Sequence, residues 1–210
     1  QPGDVLAHLP EDPPEQAETW NDILADLDRL IVPGLTHWQS PNFFGYFPAN
    51  GSAPAILGDL VSTGLGVNGM LWATSPAATE LEMRVLDWLG RAIGLPEAFM
   101  CQPRGGVPAT GGGGVQGPAS EATLVALVAA RARAMKRHAA KAATSEVAGR
   151  LVMYASTQAH SSIVKAAMIA GLAVHPEDRR RVRLIDTDAA FAMDAAALAR
   201  QMAADDDAGL

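Results

Sequence analysis

Apolar residues recur at helical spacing at Ile23, Leu24, Leu27, Leu30 and Ile31, which predicts a helix over 17–31 that stops at Pro33-Gly34. A weaker pattern predicts a second helix over 53–66. Leu81, Val85, Trp88 and Leu89 share one face of a third, over 80–93, with Thr79 and Glu82 at capping-box spacing and Gly94 as its stop. From residue 115 the pattern changes to helix 119–140, strand 151–155, helix 161–171, strand 182–185 and helix 194–204. Strands about 30 residues apart with a helix between them predict a βαβ unit and a parallel sheet. A parallel sheet has to be covered on both faces, and two strands are too few to close one, so residues 1–210 are expected to be the front part of a longer polypeptide.

Composition separates two halves. Nine of the eleven aromatic residues lie in the first 99 positions, whereas 12 alanines fall in residues 1–110 and 28 in residues 111–210. The Gly/Pro punctuation of Cys101-Gln-Pro-Arg-Gly-Gly-Val-Pro-Ala-Thr110 marks a loop between them. The expected division is therefore a helical, aromatic-rich segment over 1–100, an appendage rather than an independent core, followed by α/β structure over 101–210.

The formal charge of −7 argues against nucleic acid as a partner. The basic run Arg131, Arg133, Lys136, Arg137, Lys141 reads as a solvated helix face. No apolar stretch approaches the length of a membrane span. A single cysteine, Cys101, excludes a disulfide framework or a multi-cysteine metal site within this chain, and a start without a basic region or apolar signal core fits a cytoplasmic setting.

Three stretches could carry chemistry. Gly111-Gly-Gly-Gly114-Val115-Gln116-Gly117-Pro118 enters the 119–140 helix, whose first N–H groups suit a phosphate, with Ser120 adding a hydroxyl. The alternative is a flexible linker with Ser120 as a simple N-cap. His160 follows the 151–155 strand, at the carboxyl edge where ligands of parallel sheets collect, or else is an ordinary residue at a helix start. The aromatic cluster His37-Trp38 to Phe43-Phe44-Gly45-Tyr46-Phe47-Pro48, with Asn68 and Met70-Leu71-Trp72, can line an apolar pocket or form core or interface.

Taken in order, these stretches resemble the group II pyridoxal-phosphate-dependent decarboxylases, the family of aromatic-L-amino-acid, histidine and tryptophan decarboxylases. The resemblance is carried by His37-Trp38, Ser40-Pro41, Phe43 to Pro48, Trp72-Ala-Thr-Ser75-Pro76 to Glu82, Asp87-Trp88-Leu89-Gly90, Gln116-Gly117 with Ala119 to Leu124, and Gln158-Ala159-His160-Ser161-Ser162. It implies an α/β protein of PLP-dependent transferase fold type I (aspartate-aminotransferase-like): a helical N-terminal segment that packs across a homodimer partner, then the first part of the large domain. It further implies pyridoxal 5'-phosphate as cofactor, its phosphate held by the Ala119 backbone and Ser120, its ring stacked by His160. Trp38, Tyr46, Phe47, Asn68 and Met70 match positions that shape the substrate side-chain pocket. The implied activity is decarboxylation of an L-amino acid, most simply an aromatic one, to its amine and CO2, with an aliphatic, histidine or glutamate substrate, or the aldehyde-forming oxidative decarboxylation of some family members, as the alternatives.

The chain departs from the family pattern in three places. Val115 runs directly into Gln116, Pro118 stands where Ser or Thr is commoner, and Ala49 replaces a threonine of the animal enzymes. The family's covalent lysine anchor, pyridinium aspartate and mobile loop lie beyond the matching stretches. Asp186 and Asp188 read as a turn and helix-start pair rather than as substitutes for that aspartate. The competing readings are a non-catalytic phosphate- or cofactor-binding or interaction protein, and an unrelated nucleotide-binding module, which the missing fingerprints disfavour.

Overall fold

The computed structural model describes residues 5–47, 51–138 and 144–210. The chain divides into two compact units, Gln1–Met70 and Leu71–Leu210.

In the first unit, Thr19 accepts from the Asp22 amide and so caps α1 (Trp20–Asp26). The helical path continues through a π-helical stretch, Leu27–Ile31, into a single turn, α2 (Val32–Gly34). Ser52 caps α3 (Ala53–Leu65) through the Ala55 amide, and Gly66 ends it at φ +60°, a left-handed position that glycine takes without a Cβ clash. Both sequence-predicted helices are present, although the first starts three residues later than expected. None of the residues of α1 or α3 is buried.

In the second unit a 3-10 turn, Trp72–Thr74, leads into α4 (Pro76–Ala92), which starts four residues ahead of the expected position. Pro76 supplies the preset φ of a first helical position, and the Thr79 hydroxyl donates back to the Ser75 carbonyl. The expected Thr79–Glu82 capping box is therefore absent, and Glu82 is released for another role. Gly94, at φ +76°, ends the helix as expected, with the Leu95 amide donating to the Gly90 carbonyl. The polar face of α4 is bonded to the loop that follows it. Cys101 and Gln102 donate their amides to Asp87 at 2.7 and 2.9 Å. Met100, 1% exposed, sits against Gly90, where a Cβ would lie 2.9 Å from its Cε.

The remainder comprises α5 (Ala119–His138), α6 (Thr144–Arg150), β1 (Met153–Ser156), α7 (Ser162–Ile169), β2 (Val182–Ile185) and α8 (Ala195–Asp207). The strands pair in parallel, Met153 with Val182 through Ser156 with Ile185, as the βαβ spacing predicts. The core is Ala167, Leu172, Ala173 and Val182, closed by Leu127 of α5, Leu151, Met153, Met168 and Leu184. The small side chains of Ala166 and Ala167 on α7 are buried where that helix packs. Helix α6 lacks a periodic apolar face and was not expected. Asp194 caps α8 through the amides of Ala196 and Ala197.

Among the described residues no helix is long and apolar enough to cross a membrane, and no cluster of His, Cys, Asp and Glu suits a metal ion. Arg133, Lys136 and Arg137 are exposed, as a solvated helix face requires, while Lys141 lies outside the described residues.

Candidate functional site

The start of α5 presents a set of hydrogen-bond donors. Its first turn is closed by the Pro118 carbonyl, which accepts from the amides of Glu121 and Ala122 at 2.8 and 3.3 Å. Ala119 and Ser120 thus occupy the first two helical positions, and Ser120 is not an N-cap. Among the described residues, neither the Ala119 or Ser120 amide nor the Ser120 hydroxyl has a hydrogen-bond partner, and both residues are exposed. The 20-residue helix adds its positive N-terminal end to these donors.

The nearby carboxylates are turned away to the incoming loop. A capping box would bond Glu121 to the N–H of the residue before the helix, but that residue is Pro118, which has none. Glu121 reaches one residue further, and the Gly117 amide donates to it at 3.1 Å. A Cβ at Gly117 would sit 2.6 Å from that carboxylate oxygen, so the glycine makes the contact possible. Glu82 of α4 accepts from the Val115 amide at 2.6 Å. Upstream, Gly111 passes so close to the Ala98 carbonyl that a Cβ would lie 2.2 Å from it, and Glu97 accepts from the Arg104 amide at 2.7 Å. The glycine-rich stretch therefore follows a fixed path rather than forming a free linker.

Asp87 anchors the near end of this loop while 2% exposed. Burial favours its neutral form, but the Cys101 and Gln102 amides, with Arg91 and Arg84, outweigh it and hold its carboxyl below the usual range. Sequence spacing missed Glu82 and Asp87 as loop ligands: Glu82 fitted a capping box, and Asp87 sat among the apolar residues of an amphipathic helix.

His160 precedes α7, and its Nδ1 accepts from the Ser162 amide at 3.2 Å, with the Ser162 hydroxyl 3.0 Å away. Accepting there places the ring proton on Nε2. The side chain caps α7, where Ser161 makes no cap bond. The helix-start reading is thus realised, and the same bond fixes the orientation of an exposed ring. Asp188 accepts from the amides of Ala190 and Ala192, and the Asp186 carbonyl accepts from Asp194, so this pair forms a turn, while the helix start expected of it falls to Asp194.

In the first unit, Trp38 stacks on Phe43 (centroids 5.1 Å apart, planes 24°) and on Tyr46 (5.6 Å, 9°). Tyr46 adopts φ +56°, a left-handed conformation costing about 1–2 kcal/mol for a residue with a Cβ, comparable with the ~1 kcal/mol of an aromatic pair. Phe47 is 98% exposed and outside the stack. Asn68 accepts from the Met70 amide at 3.0 Å, forming a turn that leaves Met70 exposed. Trp38 and Tyr46 are thus brought together, Asn68 and Met70 share a separate turn, and Ala49 lies outside the described residues.

Comparison with known proteins bears on these features together. The conserved-domain description "Pyridoxal-dependent decarboxylase conserved domain" matches residues 2–210. Aromatic-L-amino-acid decarboxylase of Cavia porcellus is 45% identical over 213 residues, covering 100% of this chain and 42% of its own length. Phenylacetaldehyde synthase of Arabidopsis thaliana is 45% identical over 210 residues, covering 100% of this chain and 40% of its own. The crystal structure of Oryza sativa TDC with PLP and tryptamine superposes with a TM-score of 0.88 at 41% identity, over 100% of this chain and 43% of that one. The chain thus spans about two fifths of the length of these relatives. With the glycine loop, the α5 start and the histidine before α7 all inside a match that runs from residue 2 to residue 210, this chain belongs to the pyridoxal-dependent decarboxylase family.

Proposed function

We propose that the protein carrying this chain uses pyridoxal 5'-phosphate to decarboxylate an aromatic L-amino acid to the corresponding amine. The observation that carries this reading is the α5 start, where, among the described residues, two amides and the Ser120 hydroxyl have no partner while Glu82 and Glu121 are directed to loop amides. A phosphate fits that donor set by charge and by hydrogen-bond count.

When bound, pyridoxal phosphate supplies an electron sink for the pair left as the Cα–carboxylate bond breaks. The chain's own contribution is placement. Ala119 and Ser120 would hold the phosphate, and His160, its ring fixed by the bond to Ser162, would pack on the cofactor ring. Trp38, Tyr46, Phe47, Asn68 and Met70 shape the pocket for the substrate side chain, and the flat Trp38–Tyr46 stack offers the kind of face an aromatic substrate packs on. The protein adopts PLP-dependent transferase fold type I, a reading supported by the parallel βαβ unit and the likeness to the TDC structure. A homodimer in the cytoplasm completes the proposal. Exposed apolar side chains on α1 and α3, among them Trp20, Leu24, Ile56, Leu60 and Leu65, support the dimer.

Ser120→Ala tests the phosphate role. Removing one hydrogen bond to a charged group costs about 1.5–3 kcal/mol, so pyridoxal phosphate should bind roughly 10- to 150-fold more weakly, as read by spectroscopic titration of the cofactor-free protein. Unchanged affinity would contradict the assignment.

A further inference from the structure

We propose that Glu82 of α4 is a positioning residue for the cofactor phosphate: by holding the Val115 amide, it fixes the path of the glycine-rich loop so that the Ala119 and Ser120 amides stay open. This rests on the phosphate reading of the α5 start given above.

Between Met100 and Ser120 the chain contains seven glycines, Gly105, Gly106, Gly111 to Gly114 and Gly117, and so has unusual backbone freedom to lose. Its near end is held by Met100 on Gly90 and by Asp87 on Cys101 and Gln102. Its far end has two side-chain tethers. Glu121, through Gly117, belongs to α5 itself and moves with it. Glu82 bonds Val115 across 33 residues of sequence from a different and regular helix, four residues ahead of Ala119. It is half-buried on the same helix as Asp87, so α4 grips both ends of the loop. At 2.6 Å the bond is a short, charge-assisted one. Without it, four consecutive glycines can fold over the α5 start and offer their own carbonyls to the donors a phosphate needs.

Glu82 touches no cofactor in this account, and its negative charge would by itself repel a phosphate. Charge alone therefore predicts tighter binding when it is removed, whereas positioning predicts weaker binding. The test is titration of the complete, cofactor-free protein with pyridoxal phosphate and with pyridoxal, which lacks the phosphate. Glu82→Ala should weaken pyridoxal phosphate on the order of tenfold, the size seen when a group that orients a ligand's direct contacts is lost, and leave pyridoxal unchanged. Glu82→Gln keeps an acceptor for Val115 and should bind within about threefold of wild type. Hydrogen exchange gives a readout independent of the cofactor: the Val115 amide should be protected in wild type and in Glu82→Gln, and exchange freely in Glu82→Ala.

Unchanged or tighter pyridoxal phosphate binding in Glu82→Ala would overturn the proposal, as would a parallel loss for pyridoxal, equal failure of Glu82→Gln, or an unprotected Val115 amide in wild type. A wild-type protein that shows no preference for pyridoxal phosphate over pyridoxal would overturn the phosphate reading itself, and this inference with it. A normal wild-type preference with an unaffected Glu82→Ala would overturn the inference alone.

Discussion

On the proposed cofactor roles, replacing His160 by alanine should lower turnover on the order of 100-fold while changing cofactor affinity far less, because the donors at the α5 start would still hold the phosphate and only the orientation of the ring would be lost. The structure complicates this variant in a useful way. His160 also caps α7 through Nδ1 and the Ser162 amide, so alanine removes a cap as well as a ring. His160→Asn separates the two, since asparagine is a strong capping side chain with no aromatic face. Turnover should stay low in His160→Asn while thermal stability returns toward wild type. Recovery of turnover in that variant would reduce His160 to a helix cap.

Asp205→Ala should produce the largest loss of stability. Asp205 is 3% exposed and joins three elements: the Tyr154 hydroxyl of β1 donates to it at 2.8 Å, Arg183 of β2 at 2.6 and 3.1 Å, and Gln201 of its own helix α8 at 3.1 Å. Removing one partner of a buried pair leaves the other charge unmatched, at a cost of about 3 kcal/mol where, as with Arg183, the remaining group keeps some access to water. A denaturant titration in which the midpoint of Asp205→Ala matches wild type would contradict this.

The same cluster fixes the pH dependence. The Arg183 guanidinium, together with Tyr154 and Gln201, outweighs burial and holds the Asp205 carboxyl below the usual range. The Arg180 side chain does the same for Asp178, and loop amides for Asp87. Carboxylates depressed in the folded state stabilise it fully above their ordinary value near 3.8, and that stability is lost as pH falls below it through the folded values. Tyr154 runs the opposite way. Burial and then the bond to Asp205 push its hydroxyl up to about 12 from 10.0, so its contribution is present below pH 10 and lost between 10 and 12. The alkaline fall in melting temperature should flatten in Tyr154→Phe.

What the sequence made legible follows from the range of the interactions involved. Strand 182–185 and the parallel pairing could be read because a βαβ unit sets its own spacing and apolar runs mark the strands. The α5 start could be read because glycines and a proline before a long helix, with a serine in its first turn, define its donors locally. Glu82 and Asp205 could not. A carboxylate at capping spacing and an aspartate opening an Asp-Asp-Asp run look like surface residues until the chain brings Val115, Tyr154 and Arg183 to them. The bonds tying α4 to its loop were hidden for the same reason, since they span 14 to 33 residues. The left-handed Tyr46 has no signal in residue type, because tyrosine rarely adopts that conformation, and its stacking on Trp38 is visible only in three dimensions.

The most direct test is product analysis. The complete protein, saturated with pyridoxal phosphate, is incubated with L-tryptophan, L-phenylalanine, L-tyrosine and L-DOPA, and the products are identified by mass spectrometry alongside measurement of CO2. Cofactor-dependent release of an arylalkylamine with an equal amount of CO2 from at least one of the four is the predicted result. No CO2 from any of them, or an aldehyde in place of the amine, would contradict the account.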